Sequence, residues 1–191
     1  YSKNGLFIRD VKYDDYIDFV GGDIEIYNSM IYIPDYLITG SAKNSWVFID
    51  TVGNLVAKKV NSIPPFRTNT GIEGSIYRFE DKLFYYNLFN DTIFSISPDL
   101  KEKEAYLFAK GDHRWPIGNV KTDAESWRKI FKPMKMFETK YFIVLLYSYL
   151  DKNAISLIDK KTKKTFLAYL KENETNSKAF LMNDLDGGMP F

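Results

Sequence analysis

The lone histidine of the chain lies in a polar loop, residues 110–116, which also carries a carboxylate, a guanidinium and an indole. Binding residues concentrate on loops that a rigid scaffold holds in place. We therefore take four residues of this loop as the candidate ligand-binding site: Asp112, His113, Arg114 and Trp115. In the alternative interpretation, Trp115 covers a neighbouring helix and the other three side chains are solvated.

A second polar stretch, residues 183–188, places Asn183, Asp184 and Asp186 before two glycines. Loops that bind hard cations begin in this way, but calcium takes about six to eight oxygen ligands and an EF-type loop needs a further acid downstream. The chain has no acid after Asp186. An Asx turn with glycines at positive φ explains the same residues. With no cysteine and one histidine, we expect neither a metal site nor a cofactor.

Signatures of nucleophilic catalysis are missing from the sequence. Residues 71–75 lack the spacing of a Gly-x-Ser-x-Gly motif, and a Ser-His-acid triad would have to use His113 without an identifiable serine. Two of the acids Asp112, Asp123 and Glu125 could still meet in space as the carboxylate pair of a glycoside hydrolase. A glycan-active enzyme is therefore the alternative, and a non-catalytic binding or scaffold protein is the function that we favour.

The charges of the chain exclude some partners. The 26 Lys and Arg residues nearly cancel the 25 Asp and Glu residues, leaving a net charge of +1, so no global field attracts nucleic acid or anionic lipid. A basic run at residues 160–164 is balanced by Asp159 and Glu172 and is interpreted as a solvated hairpin tip. We expect no nucleic-acid partner.

The longest apolar run, residues 141–150, is too short to cross a bilayer as a helix, which takes about 20 residues. We interpret it as one buried strand, or as two strands that share a turn, and predict no transmembrane segment. Aromatic residues make up 17% of the chain, and aromatic side chains favour strands. The sequence therefore predicts an all-β fold.

Short β-type runs separated by turn residues follow one another along the chain. The predicted strands cover residues 6–9, 16–20, 24–27, 30–33, 45–50, 55–60, 76–79, 83–86, 92–97, 105–109, 134–137, 141–146, 154–158, 165–170 and 179–182. Residues 122–131 stand apart, because Trp127, Ile130 and Phe131 have helical spacing before Pro133. They predict one short helix in an inserted loop.

Three segments of the chain resemble one another. In each, an apolar strand precedes a second apolar strand and a polar turn, at residues 31–56, 84–100 and 142–164. A module of about 40 to 50 residues with four short strands is typical of a β-propeller blade. Division of the chain by this period gives about four modules. We therefore expect residues 1–191 to form a single, incomplete β-propeller domain, with a β-sandwich or barrel as the alternative architecture.

Several of these segments also resemble a known family. The sequence NDTIFSI at residues 90–96, preceded by KLFYY at residues 82–86, is similar to six-bladed, TolB-like β-propeller lipoproteins of gut-dwelling Gram-negative bacteria. FIDTVGNLV at residues 48–56 resembles their recurring blade ending, and MNDLDGGMPF at residues 182–191 resembles a stretch of their C-terminal half. The resemblance covers most of residues 27–191.

The resemblance implies shape and location more than chemistry. It implies a six-bladed ring of which this chain is a part, and a lipid-anchored protein of the periplasm or the cell surface, although the chain shows no leader. The partner would be an unknown protein or glycan. A fragment with uncovered blade faces would also be expected to associate with a second copy.

Overall fold

The structure of the chain, a computed structural model, describes residues 9–11, 16, 24–34, 43–62, 74–87, 92–107 and 124–169. Apart from one short helix, its regular elements there are β-strands, in agreement with the predicted all-β class. Within the described residues, the strands form three antiparallel sheets of four strands each. The chain divides into two compact units, Tyr1–Ile72 with one of these sheets and Glu73–Phe191 with the other two.

The sheet of the first unit contains its strands in chain order: β1 (Glu25–Tyr27), β2 (Met30–Pro34), β3 (Asn44–Ile49) and β4 (Leu55–Val60). Successive side chains of a strand point to opposite faces, and β3 is buried on both. Trp46 and Phe48 occupy one face, whereas Val47 and Ile49 pack with Ile33 on the other. A central strand that is apolar on both faces requires cover on both.

The two sheets of the second unit repeat this order. One contains β5 (Gly74–Phe79), β6 (Lys82–Asn87), β7 (Thr92–Ile96) and β8 (Glu102–Leu107), and the other contains β9 (Lys132–Glu138), β10 (Phe142–Tyr149), β11 (Lys152–Asp159) and β12 (Thr165–Tyr169). Strands β5 and β9 lie side by side, and the backbone N–H of Met136 donates to Ser75 Oγ at 3.0 Å. Side chains of both sheets, including Phe84 and Ile143, form one apolar core.

The third hairpin of each sheet closes with a similar pair of backbone hydrogen bonds, but the turn after Asp159 is one residue longer than the turns after Asp50 and Ser97. The residue that ends or follows the third strand is Asp50, Ser97 or Asp159, and its N–H and C=O both bond across the turn. Each turn contains one residue in the left-handed region: Gly53, Leu100 or Lys163. In two of the turns an Asp carboxylate also accepts backbone N–H bonds, which replaces solvent for those groups. The repeated sequence pattern therefore corresponds to similar hairpins, two of which have the same turn length.

The predicted helix and the longest apolar run are both found in the second unit. The helix, α1, is shorter than expected and covers Ala124–Arg128. The apolar run forms one strand, β10, and not two, because the turn to β11 falls at its end. That turn places both Leu150 and Asp151 at positive φ, as a two-residue hairpin requires. The N–H of Leu150 also donates to the carbonyl of Arg128, which holds α1 against the hairpin.

Twelve of the predicted strands correspond to β1–β12, with boundaries that differ by three residues at most. The other three, at residues 6–9, 16–20 and 179–182, fall on stretches of which only Arg9 and Tyr16 are described, and neither lies in a strand. The described residues thus contain three sheets where about four modules are expected. In the part of the chain that the structure describes, no helix has the length and apolar character needed to cross a membrane.

Candidate functional site

A buried carboxylate lies where the two sheets of the second unit meet. Glu138 is the last residue of β9, and its side chain is only 1% exposed. Tyr106 of β8 donates its hydroxyl to Glu138 Oε1 at 2.6 Å, and Tyr77 of β5 donates to Oε2 at 3.2 Å. A carboxylate that is removed from water needs such partners, because its desolvation is costly. Glu138 therefore links β9 to both edge strands of the neighbouring sheet, β5 and β8.

Lys160 completes the contacts of this carboxylate. It follows β11, and its Nζ lies 2.7 Å from Glu138 Oε1 and donates to the carbonyl of Thr139 at 2.9 Å. The ammonium also lies 4.1 Å from the centre of the Phe79 ring, which is a cation–π contact. The interpretation of residues 160–164 as a solvated hairpin tip therefore does not hold for Lys160, whose side chain is 23% exposed and bound.

We call Tyr77, Tyr106, Glu138 and Lys160 the Glu138 clamp. Burial raises the pKa of Tyr77, and the neighbouring Glu138 charge raises it further. Burial and the hydrogen bond to Glu138 raise the pKa of Tyr106 in the same way. Both phenols therefore stay protonated at neutral pH and act as hydrogen-bond donors. The charges of Glu138 and Lys160 compensate each other, so the clamp holds two sheets together with its polar groups engaged.

An apolar cavity of about 130 Å³ lies next to the clamp; we call it the inter-sheet cavity. Its innermost wall includes Ile93 and Met136, which are almost fully buried. At its outer end lie Leu107, which is 71% exposed, and Lys163. Tyr106 and Lys160 of the clamp and the side chains of Ile143, Leu145 and Ile158 complete the wall. The cavity can therefore take a small apolar group from the solvent side.

The family of the chain is given by its sequence from residue 49 to residue 191, which matches the model of a family described as "Domain of unknown function (DUF4933)". The match includes all of the Glu138 clamp and of the inter-sheet cavity. The chain belongs to the DUF4933 family. No protein of curated function matches the sequence.

One solved structure is similar in fold to this DUF4933 chain. It is the crystal structure of a "Putative exported protein" from Bacteroides fragilis, with a TM-score of 0.57 and 16% sequence identity. The similarity covers 79% of this chain and 46% of the other, so the DUF4933 chain spans about half the length of that protein. At this identity, the similarity shows a shared fold and nothing about chemistry.

The predicted site residues all fall within the DUF4933 match, but few of them are described. Asp112, His113, Arg114 and Trp115 lie outside the described residues, as do Asp123 and the polar stretch at residues 183–188. Glu125 is described. It lies in the first turn of α1, and its carboxylate pairs with Lys129 Nζ at 2.7 Å on an exposed surface.

The prediction that the DUF4933 chain has no metal site stays a prediction for residues 183–188, which lie outside the described residues. Where the structure does describe the chain, no three His, Asp or Glu side chains lie close enough together to hold a metal ion. The oxygens of the buried Glu138 carboxylate are occupied by Lys160 and two phenols.

Sequence reasoning missed the Glu138 clamp, because no local pattern marks it. Tyr77 and Glu138 are separated by 61 positions, and Tyr106 and Glu138 by 32. The alternation of strand β9 offers one signal. Met136 and Glu138 share the face that points into the core, so an acid at the second of these positions predicts a buried charge that needs partners.

Proposed function

We propose that this DUF4933 chain is part of a six-bladed, TolB-like β-propeller of an exported lipoprotein, and that the propeller binds a ligand or partner without transforming it. The observation that carries the proposal is the succession of three sheets, each of four antiparallel strands in chain order. Blades of a propeller have this composition and length. In β-sandwiches, by contrast, the connections usually cross between the two sheets, so the strands of one sheet are not consecutive in the chain.

The packing of the second unit supports the same architecture. The first strands of its two sheets, β5 and β9, lie next to each other and share the bond between Met136 and Ser75. In a propeller, the first strands of successive blades surround the central channel. The Glu138 clamp then acts as a polar tie between two blades, which apolar packing alone would hold with less geometric specificity.

Export is supported by the Bacteroides fragilis protein, which is described as exported and shares the fold. The lipid anchor rests on the sequence resemblance alone. Metabolic labelling of the full-length protein with a palmitate analogue in its native host tests the lipid anchor, and we expect the protein to carry the label. Export is tested by adding protease to intact or osmotically opened cells, and we expect the protease to digest the protein. An unlabelled protein in the cytoplasmic fraction would contradict export and anchoring together.

A binding role is supported by the state of the polar groups in the described site. The carboxylate and ammonium of the Glu138 clamp are committed to each other and to the two phenols, whereas the adjacent cavity offers an apolar surface. Glu125, one of the three acids of the glycan-active alternative, lies on an exposed surface beside Lys129. The described residues therefore favour a binding role over a catalytic one.

The test of this role is to incubate the full-length protein with a pool of oligosaccharides, aromatic acids and peptides and to identify what it retains by mass spectrometry. We expect at least one retained compound, recovered with unchanged mass after prolonged incubation. A retained compound that is converted, with conversion lost in the double variant Asp112→Asn and Glu125→Gln, would replace the proposal with the glycan-active enzyme.

A crystal structure of the full-length protein tests the proposed six-bladed ring. Any number of blades other than six would contradict it.

A further inference from the structure

The inter-sheet cavity has a size that selects its ligand. A volume of about 130 Å³ is close to that of an apolar cavity that takes up one benzene molecule, about 150 Å³. Its inner wall is formed by branched and thioether side chains, including Ile93, Met136 and Leu145, which leave no hydrogen-bond donor for a polar group. The inserted part of a ligand is therefore a single ring or a short alkyl chain.

The outer end of the cavity has the opposite chemistry. The turn that borders it, residues 159–164, carries four lysines and one aspartate. The Asp159 carboxylate accepts the backbone N–H groups of Lys161 and Thr162, both at 2.8 Å. Lys160 is committed to Glu138. Lys163 lines the cavity, and within the described part of the chain no acid pairs with it. One cation is therefore available at the entrance.

We propose that the inter-sheet cavity binds a small amphipathic carboxylate, with a ring or short alkyl chain inside the cavity and the carboxylate at Lys163. The Glu138 clamp forms part of the wall and keeps Lys160 from competing for the carboxylate. Because Lys163 lies at the exposed end, the ion pair is partly solvated and adds selectivity more than affinity. This inference names a ligand class for the proposed binding role and rests on it.

The test uses the full-length protein with ¹³C-labelled Ile and Met methyl groups and three probes of similar size: phenylacetate, 2-phenylethanol and 2-phenylethylamine. We expect phenylacetate to shift the methyl signals of Ile93, Met136 and Ile158 in a saturable way. The neutral alcohol should bind about threefold to fivefold more weakly, as the loss of one exposed ion pair predicts. The amine should bind most weakly.

Lys163→Met is the matched variant, because it keeps the length of the side chain and removes its charge. We expect it to bind phenylacetate and the alcohol equally, whereas Lys161→Met, in the same turn but outside the cavity wall, should keep the preference. Ile158→Phe, which fills the cavity, should abolish the methyl shifts with all three probes while thermal unfolding confirms that it is folded.

Three results would overturn this inference: no shift of the cavity methyl groups at millimolar phenylacetate, equal affinity for the acid and the alcohol in the wild type, or the same preference in Lys163→Met. Each of these results would still be compatible with the binding role if the ligand screen finds a retained compound that shifts methyl signals outside the inter-sheet cavity. Conversion of a ligand seated in the cavity would instead contradict the non-catalytic role and confirm the site.

Discussion

The sheet of the first unit and the paired sheets of the second unit both pack aromatic rings, and they differ in the polar contacts that are added to this packing. In the first unit, four aromatic rings pack together, and the centroids of the contacting rings lie 5.3 to 6.3 Å apart. We call these residues the aromatic quartet: Tyr27, Tyr32, Trp46 and Phe48. In the second unit, the Glu138 clamp adds hydrogen bonds and an ion pair to an apolar core. The two regions therefore have the same strand order and different chemistry.

This difference predicts how each region responds to substitution. Dispersion and apolar burial are non-directional and spread over many atoms, so the loss of part of one ring of the quartet has a graded cost. The clamp depends on a few bonds to one buried carboxylate, and the loss of one partner leaves a charge without compensation. We expect graded effects in the first unit and strongly non-additive effects in the second.

The largest effect is expected for Phe48→Ala, because this fully buried ring contacts the other three members of the quartet. We expect a loss of about 3–5 kcal/mol in the free energy of unfolding, measured by denaturant titration with circular dichroism. Phe48→Leu should cost less, since part of the volume remains. Val56→Ala, at a half-exposed position of β4, is the control and should change stability by about 0.5 kcal/mol or less.

Lys160→Met tests the clamp, because it leaves the Glu138 charge buried without its cation. We expect a loss of about 3 kcal/mol, and recovery of more than half of it in the double variant Glu138→Gln with Lys160→Met. Lys161→Met, at an exposed position of the same turn, is the control. Additive costs in the double variant would show that the two charges do not depend on each other and would remove the contrast with the first unit.

The two phenols of the clamp should differ in their contributions. Tyr106→Phe removes a 2.6 Å bond to the carboxylate and should cost about 2 kcal/mol, whereas Tyr77→Phe removes a 3.2 Å bond and should cost about 1 kcal/mol. Tyr141→Phe, at an exposed ring, is the control. Equal costs, or a larger cost at Tyr77, would contradict the geometry of the clamp.

Gly53→Ala tests the turn that the two units share. Gly53 has a φ of 103°, which favours glycine, so an added Cβ should cost about 1 kcal/mol. The neighbouring Val52→Ala, at an exposed side chain, should change little. A neutral Gly53→Ala would indicate that this turn adopts a different backbone and would contradict its likeness to the turn after Ser97.

The smallest effect concerns acid. The hydrogen bonds from Lys101 and Ser97 lower the pKa of Asp99 to about 2 from its ordinary value of 3.8. The contribution of a group with a lowered folded-state pKa is present above its unfolded pKa and is lost as the pH falls through the folded one. We expect the melting temperature to fall between about pH 4 and pH 2, and Asp99→Asn to reduce this slope slightly. An identical slope in the variant would contradict the assignment.

Much of the fold follows from local patterns. The boundaries of β4 are those predicted, because Leu55, Ala57 and Lys59 alternate with more exposed residues after a Gly-Asn turn. The helix ends three residues earlier than predicted, at Arg128. Its spacing pattern includes Ile130 and Phe131, but the backbone leaves the helix after Arg128 and enters β9, where the pairing of Lys132 with Ser148 begins. Strand pairing thus overrides the local helical preference.

The candidate site could be predicted much less well. The loop that its residue types favour, Asp112 to Trp115, lies outside the described residues. Of the groups that the structure brings together, the sequence places Tyr77 and Tyr106 in strands and Lys160 in a turn, and it places Glu138 just after a predicted strand. Lys160 illustrates the reason. Its neighbours Lys161 and Lys163 are exposed as the polar run predicts, while Lys160 itself faces a carboxylate that is 22 positions earlier in the chain.

The strands and their turns follow from local sequence, since they depend on side-chain alternation and on residues within a few positions of one another. The packing of the sheets sets which polar groups are buried together, because the clamp joins residues of three strands and a turn. It also sets where the cavity lies, since the space between two sheets depends on side chains from both.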